Sequence, residues 1–175
     1  LGDVYKRQEY RGTPLYVLAG FRSAMVAAKL GLGVILGGPV ATQEAAARVY
    51  REHALADAPP IISSLNIAVA ETSAAARDLL LPEAYAKVRA QSTGEFATLR
   101  PAGELDMDAP TGQQRRRIEE ALAHDVWGTV EEVREELRGV GKRLGVSEFV
   151  VTGDMPDVAG RARSEELLAS MQVEN

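Results

Sequence analysis

The chain contains no cysteine, which excludes disulfides, thiolate metal sites and cysteine nucleophiles together. Its two histidines, His53 and His124, are not paired at metal-ligand spacing and complete no serine–histidine triad. Aromatic residues make up only 5% of the chain, so isolated ones such as Phe96, Trp127 and Phe149 read first as core. No apolar run approaches the roughly 20 residues of a membrane helix. With no secretory signal in view, the cytoplasm is the expected location. Lys and Arg are interspersed with acids, and the densest run, Arg115-Arg116-Arg117, is followed at once by Glu119-Glu120. A solvated helix face explains that run, and a nucleic-acid surface is not supported. There is also no Walker lysine and no three-glycine dinucleotide fingerprint.

What remains is a chain of 175 residues, 46% apolar and 26% charged, with a net charge of −5. That composition suits one soluble globular domain. Residues 1–8 stand apart. Asp3-Val4-Tyr5-Lys6-Arg7-Gln8 reads as the translation of a transposon end used in sequencing libraries and is set aside from fold reasoning. Residues 9–175 then form the domain, expected to lack its earlier portion.

Four short branched-residue runs predict strands: Leu15 to Ala19, Val34 to Leu36, Ile61 to Ala70 and Glu148 to Thr152. None alternates cleanly, as in strands covered on both faces. Helical patterns lie between them. Ser23 to Leu30 carries Met25, Val26 and Leu30 at helical spacing. Thr42 to Ala56 has a threonine cap and stops before Pro59-Pro60. Thr72-Ser73 opens a helix through Leu79 that resumes after Pro82 and reaches about Ala90. Residues 93–112, which contain Pro101, Gly103, Pro110 and Gly112, read as a long irregular connection and a mobile lid. Gln113 to His124 is helical. Thr129 with Glu132 forms a capping box for a helix that ends at Gly145. Asp157 caps a last helix expected to bury Ala162, Leu167, Leu168 and Met171. Strand alternating with helix means a parallel sheet, either doubly wound or part of an eight-fold barrel.

The most informative stretch is Leu15-Tyr16-Val17-Leu18-Ala19-Gly20-Phe21-Arg22-Ser23-Ala24. Gly20 admits a tight turn with no side chain in a ligand's way. The first amides of the following helix lack intrahelical acceptors and favour an anion such as phosphate. Ser23 can add a hydroxyl. By itself the pattern is equally that of an ordinary strand-to-helix turn.

The order of segments adds to it. Gly20 to Ser23-Ala24 is followed by Ala27-Ala28, Gly31-Leu32, the Val34-Ile35-Leu36 strand and Tyr50-Arg51. Then come Asn66 to Ala70 with Glu71-Thr72, Gly128-Thr129-Val130-Glu131-Glu132-Val133, Gly145 to Val151, and Arg161-Ala162-Arg163-Ser164 with Leu167-Leu168-Ala169. Across residues 14 to 170 this resembles the later half of the luciferase-like flavin-dependent monooxygenases. The resemblance implies an α/β fold, the C-terminal part (about four βα units) of a (β/α)8 TIM barrel.

It also implies a cofactor, FMN or a deazaflavin, whose phosphate is held by the amides of Ala19, Gly20 and Phe21 and by Ser23. Many relatives carry serines where Ala19 and Gly20 stand, so hydroxyl donors are lost; Arg22 either compensates as a cation or is simply an exposed arginine. Gly37-Gly38, Glu71, Thr152 and Asp154 stand at strand ends, where ligand groups gather in a barrel. No catalytic residue is assigned, because in such enzymes the flavin-ring contacts and the base come largely from the earlier half. The activity implied is oxidation of a small organic substrate with oxygen and reduced FMN from a separate flavin reductase, in an enzyme expected to be a homo-oligomer. The fragment by itself is expected to be inactive. Two other readings stay open: a non-catalytic half-barrel that binds FMN or phosphate, and a fragment of a phosphosugar-binding or isomerase barrel.

Overall fold

The structure, a computed structural model, describes residues 13–171; the segment at 1–8 lies outside them. In chain order the elements are β1 (Tyr16–Ala19), α1 (Phe21–Lys29), β2 (Gly33–Leu36), α2 (Val40–His53), β3 (Ile61–Val69), α3 (Ser73–Thr93), α4 (Gly112–Leu122), β4 (Val126–Gly128), α5 (Val130–Leu144), β5 (Phe149–Thr152) and α6 (Val158–Ser170). One 3-10 turn, Ala102–Glu104, interrupts the long connection. Every strand pairing is parallel. The ladder runs β1–β2–β3–β4, and β5 also joins β3. Ser63 pairs with both Leu36 and Phe149, so β2 and β5 flank opposite edges of β3. This is the α/β architecture of a partial barrel, with β3 as its longest and most connected strand.

The helix ends follow local chemistry. Thr72 Oγ1 accepts from Ala75 N at 3.2 Å, and Asp157 Oδ1 accepts from Gly160 N at 3.0 Å. Thr129 and Glu132 close the anticipated capping box. Gly145 ends α5 in the left-handed region at φ +62, as the sequence suggested. Arg51 donates to Leu144 O and Gly145 O, placing a cation at the negative end of α5.

Several expectations change. The α2 helix begins at Val40 on Pro39, and Thr42 is not its cap. The α3 helix runs unbroken through Pro82. A mid-helix proline forfeits one backbone bond and costs about 3 kcal/mol; burial of Leu79, Leu80, Leu81, Ala84 and Val88 on the same helix offsets it. A fifth strand, β4, escaped the sequence reading because three residues carry no periodicity. In α1 the buried residues are Ala24, Ala27 and Ala28, whereas Val26 and Leu30 are exposed. In α6, Ala162 is exposed and Ser164 is buried, its hydroxyl accepting from Val69 N at 2.9 Å.

Successive strand residues point to opposite faces, and β3 shows what covers each. Leu65, Ile67 and Val69 pack with Val133, Val140 and Leu144 of α5, while Ala68 packs with α3 and α4. Val34, Leu36 and Ile61 pack on α1 and α2. The other face of the early sheet is open: Leu18 is 77% exposed, in one row with Ile35 and Ile62, and Val150 is exposed beside Ser64. Coverage on both faces therefore holds only at the C-terminal end of β3.

Candidate functional site

The turn between β1 and α1 sits where the strand ladder ends. Ala19 is buried, and Gly20, Phe21, Arg22 and Ser23 are exposed. Gly20 takes φ −100 and ψ −168, an extended conformation open to any residue. The glycine is thus not required by the backbone. A Cβ built there meets nothing within 4 Å, so the approach to the turn is open. Ser23 Oγ accepts from Gly20 N at 3.0 Å and lies 3.3 Å from Gly20 O. That box occupies the Gly20 amide and leaves the amides of Phe21, Arg22 and Ser23 as the first-turn donors without intrahelical acceptors. The first turn contains no acidic residue. An open turn, orphan amides and the cation of Arg22 suit a phosphate. Of the anticipated donors, the Gly20 amide is thus already paired with Ser23.

The next strand end is built on a residue the sequence reading passed over. Gly38 turns the chain after β2 at φ +83, a conformation that favours glycine. Gln43, from the first turns of α2, is buried and holds this turn to β3. Its Nε2 donates to Gly38 O at 2.8 Å and Ser64 O at 3.1 Å, and its Oε1 accepts from Ser63 Oγ at 2.7 Å. The Gly37-Gly38 pair therefore makes a fixed turn.

Beside it lies a cleft of about 320 Å³ bounded by Gly38, Ser64, Asn66, Glu83, Asp125 and Thr152, among others. Asn66 organises it. Its Nδ2 donates to Asp125 Oδ1 at 3.1 Å and approaches Glu83 Oε2 at 3.5 Å; its Oδ1 accepts from Thr152 Oγ1 at 2.9 Å. Glu83 also accepts from Asp154 N at 3.1 Å and pairs with Lys87. Burial pushes the Asp125 carboxyl up to about 6; the bond from Asn66 opposes this, the nearby Glu83 charge adds to it, and Lys87 and His124 oppose it. A carboxyl that titrates so near neutrality can hold or release a proton inside the cleft. One signal in the sequence pointed here: Ser63, Ser64 and Asn66 interrupt an otherwise apolar strand, and buried polar groups need partners.

The remaining strand-end candidates separate. Thr152 and the Asp154 backbone join the cleft. Glu71 does not; it pairs with Arg163 at 2.8 Å, and that hydrogen bond holds its carboxyl below the usual range. His124 borders the cleft, whereas His53 Nδ1 lies 2.9 Å from Val49 O on α2. Trp127 donates to Leu122 O and packs with α3 and α4, and Phe149 packs with α5. Phe96 is 91% exposed, against its reading as core. The long connection is anchored by Leu105 in the α3–α4 core and by Tyr85 Oη donating to Asp106 O at 3.2 Å. Among the described residues no cluster suited to a metal ion occurs, and no helix is long and apolar enough to cross a membrane.

A parallel sheet, helices between its strands and an open turn after β1 define part of an α/β barrel. The profile of the luciferase-like monooxygenases matches residues 2–148, and the chain belongs to that family of flavin-dependent enzymes. Among solved structures it is similar to apo-MsnO8, at 26% identity and a TM-score of 0.77, covering 97% of this chain and 54% of that one. It is also similar in fold to the oxygenating constituent of 3,6-diketocamphane monooxygenase of Pseudomonas putida, solved with FMN, at 15% identity and TM-score 0.61 over 89% and 46% of the two chains. The long-chain alkane monooxygenase LadA shares 18% identity with TM-score 0.55, over 91% and 42%. The chain thus spans about half the length of these relatives. No curated protein matches it.

Proposed function

We propose that this chain is the phosphate-holding part of a flavin-dependent monooxygenase that oxidises a small organic substrate, with reduced FMN delivered by a separate reductase. The observation that carries this reading is the open, acid-free N-terminus of α1 at Phe21–Ser23, inside the segment matched by the family. In this reading the amides of Phe21, Arg22 and Ser23 bind the phosphate, with Ala19 and Gly20 shaping the approach. Arg22 adds a compensating charge.

When bound, reduced FMN supplies the electrons with which dioxygen delivers one atom to the substrate and the other to water. The chain's own part is to fix the cofactor's tail and to present the Asn66–Asp125–Glu83 cleft beyond the Gly38 turn. There Asp125 holds or releases a proton at Oδ1 or Oδ2 near neutral pH.

Fluorescence titration with FMN, riboflavin and a phosphate-bearing deazaflavin tests the phosphate assignment. We expect FMN to bind about tenfold or more tighter than riboflavin, about 1.4 kcal/mol, and Arg22→Glu to remove that difference while leaving riboflavin unchanged. Equal binding of FMN and riboflavin would overturn it. Tight FMN binding in the full-length enzyme without oxygen-dependent substrate loss would instead favour a non-catalytic flavin carrier.

A further inference from the structure

A second recess shares no residue with the flavin region. The α5 helix, the turn after it and the end of α6 enclose a groove of about 520 Å³. Its floor is apolar: Leu137, Val146, Phe149 and Met171. Gly141 lets the turn lie against the helix, since a Cβ there would stand 2.9 Å from Val146 O. Along one edge, at successive four-residue steps of α5, run Arg134, Arg138 and Lys142. Side chains at that spacing share one side of a helix, so the three cations form a stripe about 12 Å long.

In a chain of net charge −5, no acidic side chain among the described residues lines this groove. Arg138 and Lys142 enter no salt bridge among the described residues. Arg134 reaches Glu131 only at 3.9 Å, and its Nε is buried with no hydrogen-bond partner among the described residues. A buried donor left unpaired costs about 1–3 kcal/mol, a cost that an anion in the groove would remove.

We propose that the groove binds an anionic amphiphile, an alkyl carboxylate whose head sits on the Arg134–Arg138–Lys142 stripe and whose tail covers Leu137, Val146 and Phe149. A guanidinium presents paired donors that match a carboxylate, and the volume falls within the range of small-ligand pockets. The apolar floor favours a tail over a compact anion, and the cationic edge rejects a cationic head.

Titration calorimetry with dodecanoate below its micelle concentration tests this, with dodecyltrimethylammonium as the charge-reversed probe. Dodecanoate is expected to bind about tenfold or more tighter than the cation, and more weakly as salt rises. Exchanging the two exposed cations, in an Arg138→Glu/Lys142→Glu double variant, should lose at least that factor and leave FMN titration unchanged. A second variant, Val146→Asp, should lose binding through the floor. Equal affinity for both amphiphiles, or an unaltered double variant of native circular dichroism, would overturn the proposal. So would sedimentation showing that these substitutions dissolve a dimer seated on the groove, or binding seen only with anionic vesicles.

Discussion

Replacing Gln43 by alanine is the sharpest test of how this fold holds its strand ends. Gln43 is 1% exposed and Ser63 fully buried, and their contact joins α2, the Gly38 turn and β3. Truncation leaves the Ser63 hydroxyl and the Ser64 carbonyl without their partner. Each buried group so orphaned costs about 1–3 kcal/mol, and the vacated volume adds about 1 kcal/mol. Because Ser64 is only half-buried the low end of that range applies, and a loss of about 3–4 kcal/mol follows, a large share of the roughly 5–15 kcal/mol by which domains are stable. In urea, with a slope near 2 kcal/mol/M, the midpoint should fall by about 1.5–2 M at constant slope. Gln43→Glu should not rescue it, because a carboxylate accepts from Ser63 but cannot donate to Gly38 O or Ser64 O. Ser63→Ala alone should cost less, and the double variant should fall short of the sum by about 1 kcal/mol, since the two share one bond. A midpoint shift below about 0.5 M, or strict additivity, would refute the reasoning.

Two further predictions concern charge and exposure. The folded-state pKa of Asp125 lies above its ordinary value, near 6, so its contribution is fully present below pH 4 and lost as pH rises through 6. After discounting for solvent screening, this amounts to about 1–2 kcal/mol. Asp125→Asn should therefore gain about that much relative to the native chain at pH 7–8 and nothing at pH 4; urea melts at both values check it, and an equal effect at both would contradict it. The open sheet face carrying Leu18 and Val150 is an association surface. The 175-residue chain should self-associate in sedimentation velocity, and Leu18→Lys with Val150→Lys should shift it toward monomer. A cooperative monomer before substitution would count against this.

The legible parts of the fold are those set by neighbours in the chain. Strands β1, β2, β3 and β5 followed from branched apolar runs, and caps at Thr72, Thr129, Asp157 and Gly145 from residues whose side chain or left-handed backbone completes a helix end. The β1–α1 turn was legible for the same reason: strand, Gly20 and helix follow one another directly in the chain. The misread parts depend on distant partners. Ser63, Ser64 and Asn66 lie within a strand read only as apolar, and Gln43 and Asp125 are brought to them by the fold, Asp125 from 59 positions beyond Asn66.

Sequence alone determined the alternation of strand and helix and the parallel class of the sheet, because each depends on periodicity along the chain. Tertiary structure alone decided that three residues at Val126–Gly128 become a strand, that α3 passes through Pro82, and that Asn66, Glu83 and Asp125 share one cleft. These follow from burial and long-range pairing, whose free energy exceeds the local preferences it overrides and leaves no periodic mark in the chain.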